Sequence, residues 1–105
     1  SKTGITIFSD KVPVLSKTRE LAEQNIIPGG SKKNHAWLAN CIDYSETVDE
    51  ITQFILCDAV TSGWLLISVP ESEAESLYQA LLTRKVPAAI IGEVTSEKPC
   101  RITVM

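Results

Sequence analysis

The chain has 105 residues, of which 44% are hydrophobic and 22% charged, with a net charge of −3; that is the profile of one folded domain spanning residues 1–105, not of a disordered segment. Its basic residues are scattered, and the pair Lys32-Lys33 is too short for a duplex footprint, which argues against a nucleic-acid partner. No apolar run reaches the length of a membrane span, no signal-peptide core opens the chain, and Cys41, Cys57 and Cys100 are odd in number and lack Cys-x-x-Cys spacing, so the reading is a cytoplasmic protein with reduced thiols, no membrane, no disulfide framework and no zinc.

Gly4-Ile5-Thr6-Ile7-Phe8 alternates apolar and polar residues and predicts a strand. From Val14 to Ile26, Leu15, Leu21, Ala22 and Ile26 recur at roughly helical spacing. That helix is expected to stop at Pro28-Gly29-Gly30. Ala36-Trp37-Leu38 reads as a short helix with Trp37 in the core. Thr47 and Glu50 have capping-box spacing, and Val48, Ile51 and Ile55 would form the buried stripe of the helix they open. Leu65–Val69 is a nearly continuous apolar run and predicts a central strand.

Pro70 to Glu75 places acids at a helix start, where the macrodipole favours them, with Ser72 and Glu75 as a second capping box. Ala74, Leu77, Tyr78, Leu81 and Leu82 give its apolar stripe. Ala88–Val94 and Arg101–Val104 predict two further strands. Helices alternating with strands should cover a mixed sheet, an α/β (α+β) class.

Two loops carry polar chemistry. In Pro28-Gly29-Gly30-Ser31-Lys32-Lys33-Asn34 the glycines would let backbone N–H groups approach an anion, with hydroxyl, amide and ammonium groups beside them. The plainer alternative is a helix stop followed by a polar turn. The glycine, lysine and hydroxyl spacing is not that of a Walker motif. In Asp58-Ala59-Val60-Thr61-Ser62-Gly63 the acid and hydroxyls face either a metal or phosphate, or simply their own turn backbone. His35 is the sole histidine and reads as a surface or packing residue. The three cysteines read as small buried hydrophobes.

"IIPGGSKKN", "DAVTSGWLLISVP" and "IIGEV", in that order, resemble the C-terminal domain of selenophosphate synthetase, of the aminoimidazole ribonucleotide synthetase (PurM-like) superfamily. That domain typically reads Pro-Gly-Gly-Thr-x-x-Asn, then Asp-Pro-Gln-Thr-Ser-Gly-Gly-Leu-Leu, then Ile-Gly-Glu-Val. Ser31 stands where threonine is usual, Ala59-Val60 where Pro-Gln is usual, and Trp64 where a second glycine is usual. The resemblance implies a partly ferredoxin-like sheet. It implies a reaction in which ATP, selenide and water give selenophosphate, AMP and phosphate with Mg2+. It further implies that Gly29, Gly30, Ser31, Asn34, Asp58, Thr61, Ser62 and Gly63 line a nucleotide cleft, with neither catalytic residues nor metal ligands among them. The implied partners are nucleotide, the chain's own N-terminal ATP-binding domain and, in the family, a second subunit of a homodimer. No region matches that N-terminal domain, so the chain is expected to be a C-terminal fragment, inactive alone and without a tightly bound cofactor. Other PurM-like enzymes, and a non-catalytic interaction module of the same fold, are the alternatives.

Overall fold

The computed structural model describes residues 2–60 and 63–105. The strands are β1 (Gly4–Ile7), β2 (Ile42–Tyr44), β3 (Gly92–Thr95) and β4 (Ile102–Val104), in the sheet order β2-β4-β1-β3. β1 runs antiparallel to β3 and parallel to β4, which is in turn parallel to β2. The expected mixed sheet is present. Its register sorts the side chains by face, since alternate residues point to opposite sides. Ile42, Ile102, Ile5 and Val94 form one row, and Tyr44, Val104, Ile7 and Gly92 lie on the same face. Asp43, Thr103, Thr6 and Glu93 line up on the other face, so one side of the sheet is apolar and the other polar.

β3 and β4 flank β1 on opposite sides, so the loop between them must cross over the start of β1. Gly4 permits that crossing. A Cβ there would lie 2.2 Å from the Glu97 carbonyl oxygen and 2.8 Å from that of Lys98. Arg101 then ties β4 to β2, donating to the Asp43 carboxylate and to the Asn40 carbonyl, with Lys98 Nζ 3.7 Å from Asp43.

The helices are α1 (Thr18–Glu23), α2 (Gly29–Leu38), α3 (Glu50–Leu56) and α4 (Glu71–Thr83), with a 3-10 turn at Ser9–Lys11. α1 and α2 both pack on α3. α1 is shorter than the Val14–Ile26 pattern predicts. Left-handed residues bound it, Lys17 at φ 67° and Asn25 at φ 61°. At its end Ile26 N–H donates to the Leu21 carbonyl and Asn25 N–H to that of Ala22, which is a Schellman motif. α4 ends the same way: Val86 N–H reaches Leu81 and Lys85 N–H reaches Leu82, with Lys85 at φ 59°. A β-carbon costs about 1 kcal/mol in this conformation. Lys85→Gly is therefore expected to raise stability by about 0.5–1 kcal/mol in urea unfolding.

Several sequence expectations need correction. α2 begins at Gly29, so Pro28-Gly29-Gly30 opens a helix where a stop was expected. α3 is capped by Asp49, whose carboxylate accepts from Thr52 N–H at 2.8 Å, and not by Thr47 with Glu50; Thr47 instead pairs with Ser45. Pro70 is the cap of α4 and no side chain caps it, so Ser72 makes no capping box. The strand expected at Leu65–Val69 belongs to no ladder, and Leu65 is 88% exposed. Trp37 is 81% exposed, outside the core. Cys57 is buried as expected, but Cys41 and Cys100 are exposed. The short β2 arises in a segment the sequence left unassigned. Among the described residues the buried side chains are Ala22, Val48, Cys57, Val104 and Ser31. None of the described helices is long and apolar enough to cross a membrane.

Two surface acids carry a pH dependence. The Arg101 hydrogen bond beside Asp43 holds that carboxyl below its usual value. Hydrogen bonds from Thr52, aided by Arg19, do the same for Asp49. A lowered folded-state pKa contributes stability that is present above the unfolded value, near pH 4, and lost as pH falls through the folded value. The Asp43→Asn/Asp49→Asn chain should therefore lose less Tm than the parent on acidification below about pH 4.

Candidate functional site

The two polar bends meet. Gly29, Gly30 and Ser31 form the first turn of α2, and Asn34 follows one turn later. Asp58 comes just after α3 and its cap, Cys57. The Ser31 hydroxyl donates to Asp58 Oδ1 at 2.8 Å, and Asn34 Nδ2 donates to the Cys57 carbonyl at 3.1 Å. Asp58 Oδ1 also accepts from Ala59 N–H at 3.0 Å, holding its own turn. The backbones approach closely here: a Cβ on Gly30 would lie 3.0 Å from that of Ala59. Gly29 faces open space, with nothing within 4 Å of the same position.

Ser31 is 1% exposed, so its hydroxyl needs a partner, and the Asp58 carboxylate supplies one. Asp58 also brings negative charge to the positive end of α2, where it is stabilised. The two lysines of the first turns, Lys32 and Lys33, have the opposite sign and stay exposed, with Lys32 Nζ 3.4 Å from Asn25 Oδ1. Among the described residues, the N–H groups of Gly29 and Gly30 make no hydrogen bond, as expected for a helix start.

Behind this junction lies a second cluster that the sequence left unconnected. His35 Nε2 lies 2.8 Å from Gln53 Oε1, and its ring packs on Phe54 and Tyr44 at centroid distances of 4.8 and 6.0 Å. Tyr44 Oη is 3.5 Å from Cys57 Sγ, and burial, then that thiol, push the Tyr44 pKa up. His35 is a packing residue, as expected. The cluster fixes α2, α3 and β2 against one another and so holds Ser31 opposite Asp58.

Of the other site candidates, Gly63 is exposed and in the left-handed region at φ 96°, while Thr61 and Ser62 lie outside the described residues. Trp64, beside them, is 60% exposed. Among the described residues no group of three or more His, Cys, Asp or Glu could hold a metal ion. Asp58, a single carboxylate already accepting two hydrogen bonds, does not by itself fit a magnesium site.

No family model matches the chain. Curated proteins do. It is 37% identical over 99 residues to the selenide, water dikinase of Myxococcus xanthus (strain DK1622), covering 94% of this chain and 28% of that protein. It is 38% identical over 105 residues to that of Caldanaerobacter subterraneus subsp. tengcongensis, covering 97% of this chain and 30% of that protein. The selenide, water dikinase of Clostridioides difficile (strain 630) is 37% identical over 106 residues, covering 100% of this chain and 30% of that protein. The chain thus spans about 30% of the length of the curated relatives it matches. Because these matches run along nearly the whole of it, the chain belongs to the selenide, water dikinase family.

Proposed function

We propose that this chain is the C-terminal domain of a cytoplasmic selenophosphate synthetase, the enzyme that converts ATP, selenide and water to selenophosphate, AMP and phosphate. In this reading its partner is the family's N-terminal ATP-binding domain, and the assembled enzyme is a homodimer. The observation that carries the site is the Ser31–Asp58 hydrogen bond, which places the start of α2 and the turn after α3 side by side. The N–H groups of Gly29 and Gly30 would receive phosphate oxygens, with Lys32 and Lys33 adding positive charge. In this reading Thr61, Ser62 and Gly63 would also contact the nucleotide. Bound ATP supplies the phosphoryl groups. The role of these residues is to bind and orient it, not to form covalent bonds. No step is assigned to magnesium on this chain, because its described residues offer no ligand set for one.

A second reading, a non-catalytic interaction module, is favoured by one observation. The Ser31 hydroxyl and the Asn34 amide are both spent on bonds within the chain. Reconstitution separates the two. The chain is mixed with the remaining segment of a relative expressed separately, and phosphorus NMR follows ATP and selenide. The enzyme reading expects selenophosphate and AMP from the mixture and none from this chain alone. It also expects Gly29→Pro, which removes one N–H at a position where proline is sterically tolerated, to lower the rate about tenfold. A mixture that binds but yields no product would favour the module.

A further inference from the structure

A cavity of about 300 Å3 lies outside the carboxyl end of β1, between the 3-10 turn, α1 and α3. β1 and β4 are parallel neighbours, and the carboxyl ends of parallel strands are where open sheets collect ligands. Ser9 ties the 3-10 turn to the end of β4: its N–H and its hydroxyl donate to the Met105 carbonyl at 2.8 and 2.7 Å. Val14, Ile55 and Leu56 give the cavity apolar walls, and Asp10, Arg19 and Thr52 give it polar ones. None of these side chains bonds to Ser31 or Asp58, so the cavity is separate from the junction of the two bends.

The charges around the cavity decide what fits it. All three Arg19 nitrogens are engaged. Nε lies 3.2 Å from Glu23 Oε1, Nη1 donates to Thr52 Oγ1 at 2.9 Å, and Nη2 donates to the Asp49 carboxylate. Two carboxylates thus compensate one guanidinium. Asp10 has no side-chain hydrogen bond or ion pair with any described residue. Its neighbour Lys11 holds its ammonium over the Phe8 ring, 5.1 Å from the centroid. The cavity therefore joins apolar walls to an excess of negative charge, which complements a cation that carries hydrocarbon. Among the described residues no group of three or more His, Cys, Asp or Glu could hold a metal ion, so the cation that fits is organic.

We propose that this cavity binds a small primary ammonium with a short aliphatic body. The ammonium pairs with the Asp10 carboxylate, and the hydrocarbon lies against Val14, Ile55 and Leu56. The volume is that of about ten waters, so it suits a molecule of up to about ten non-hydrogen atoms. The inference does not depend on the dikinase activity.

Titration of the nitrogen-15-labelled chain with n-butylammonium chloride, followed by amide chemical shifts, tests it. Saturable shifts are expected at residues 9–14 and 52–56, with a Kd on the order of millimolar. Methylammonium, which lacks the apolar body, should bind at least about tenfold more weakly. Butyrate, with the same hydrocarbon and the opposite charge, should leave these residues unmoved. Asp10→Asn keeps the shape of an exposed side chain and should raise the Kd for n-butylammonium at least about fivefold. The unchanged amide spectrum of the free variant would show that its fold is kept. Absence of saturable shifts in the parent overturns the proposal. So does equal binding by Asp10→Asn, or binding of butyrate as tight as that of n-butylammonium.

Discussion

Gly92→Ala is expected to cost about 3 kcal/mol, seen as a fall in urea midpoint. The reason is steric. Gly92 pairs with Ile7 where β3 meets β1. A Cβ there would lie 2.1 Å from the Thr6 carbonyl oxygen and 3.1 Å from the Ile7 Cα. Both are backbone atoms of the one strand bonded on each side, so relief requires the sheet to move and no side chain to swing. A domain of this size has about 5–10 kcal/mol in all, so one methyl group removes a large share. Gly29→Ala is the control. Its Cβ meets nothing within 4 Å, and alanine favours helix over glycine, so that change should be neutral or slightly stabilising. Equal losses at the two positions would show that the close approach at Gly92 is not what matters.

Asp58→Ala should cost about 2–3 kcal/mol. The loss has three sources. The Ser31 hydroxyl, buried and already pointed at the carboxylate, keeps its place but loses its acceptor. Ala59 N–H loses the bond that holds the turn. The start of α2 loses a compensating negative charge beside two lysines. Asp58→Asn keeps an acceptor oxygen and should recover about half of the loss. Thermal unfolding of the two variants beside the parent checks the ranking. Equal stability of parent and Asp58→Ala would mean that the bend after α3 does not lean on α2.

The elements that were legible in the sequence are those whose pattern repeats. Alternation gave β1, and a stripe at Leu77, Tyr78 and Leu81 gave α4 nearly to the residue. The short β4 followed from its apolar edge. Only the end of α2 was legible, as the short helix expected at Ala36-Trp37-Leu38; its start was not, because its first two residues are glycines, and glycine reads as a breaker. At the first turn the cost is small, since those N–H groups lack intrahelical partners in any helix. The Leu65–Val69 run was misread because hydrophobicity reports a preference for burial, not whether a neighbouring edge is reached. Trp37 failed for the same reason, as did Cys41 and Cys100, which lie in the turns that precede β2 and β4 and are exposed. The α3 cap was missed because two candidate residues, Thr47 and Asp49, lie two apart and only backbone geometry chooses.

The site was partly legible. Residue types marked both bends, and family order placed Gly29, Gly30, Ser31, Asn34 and Asp58 in them. That Ser31 would be buried and would donate to Asp58 was not readable, because the two lie 27 residues apart and meet through helix packing on α3.

A double-mutant cycle on Ser31→Ala and Asp58→Ala, read as unfolding free energy, tests the junction of the two bends most directly. If the serine hydroxyl and the carboxylate share one bond, the double variant loses less than the two single losses together, by about 1 kcal/mol or more. Losses that simply add would contradict the account, leaving two separate turns and no common site.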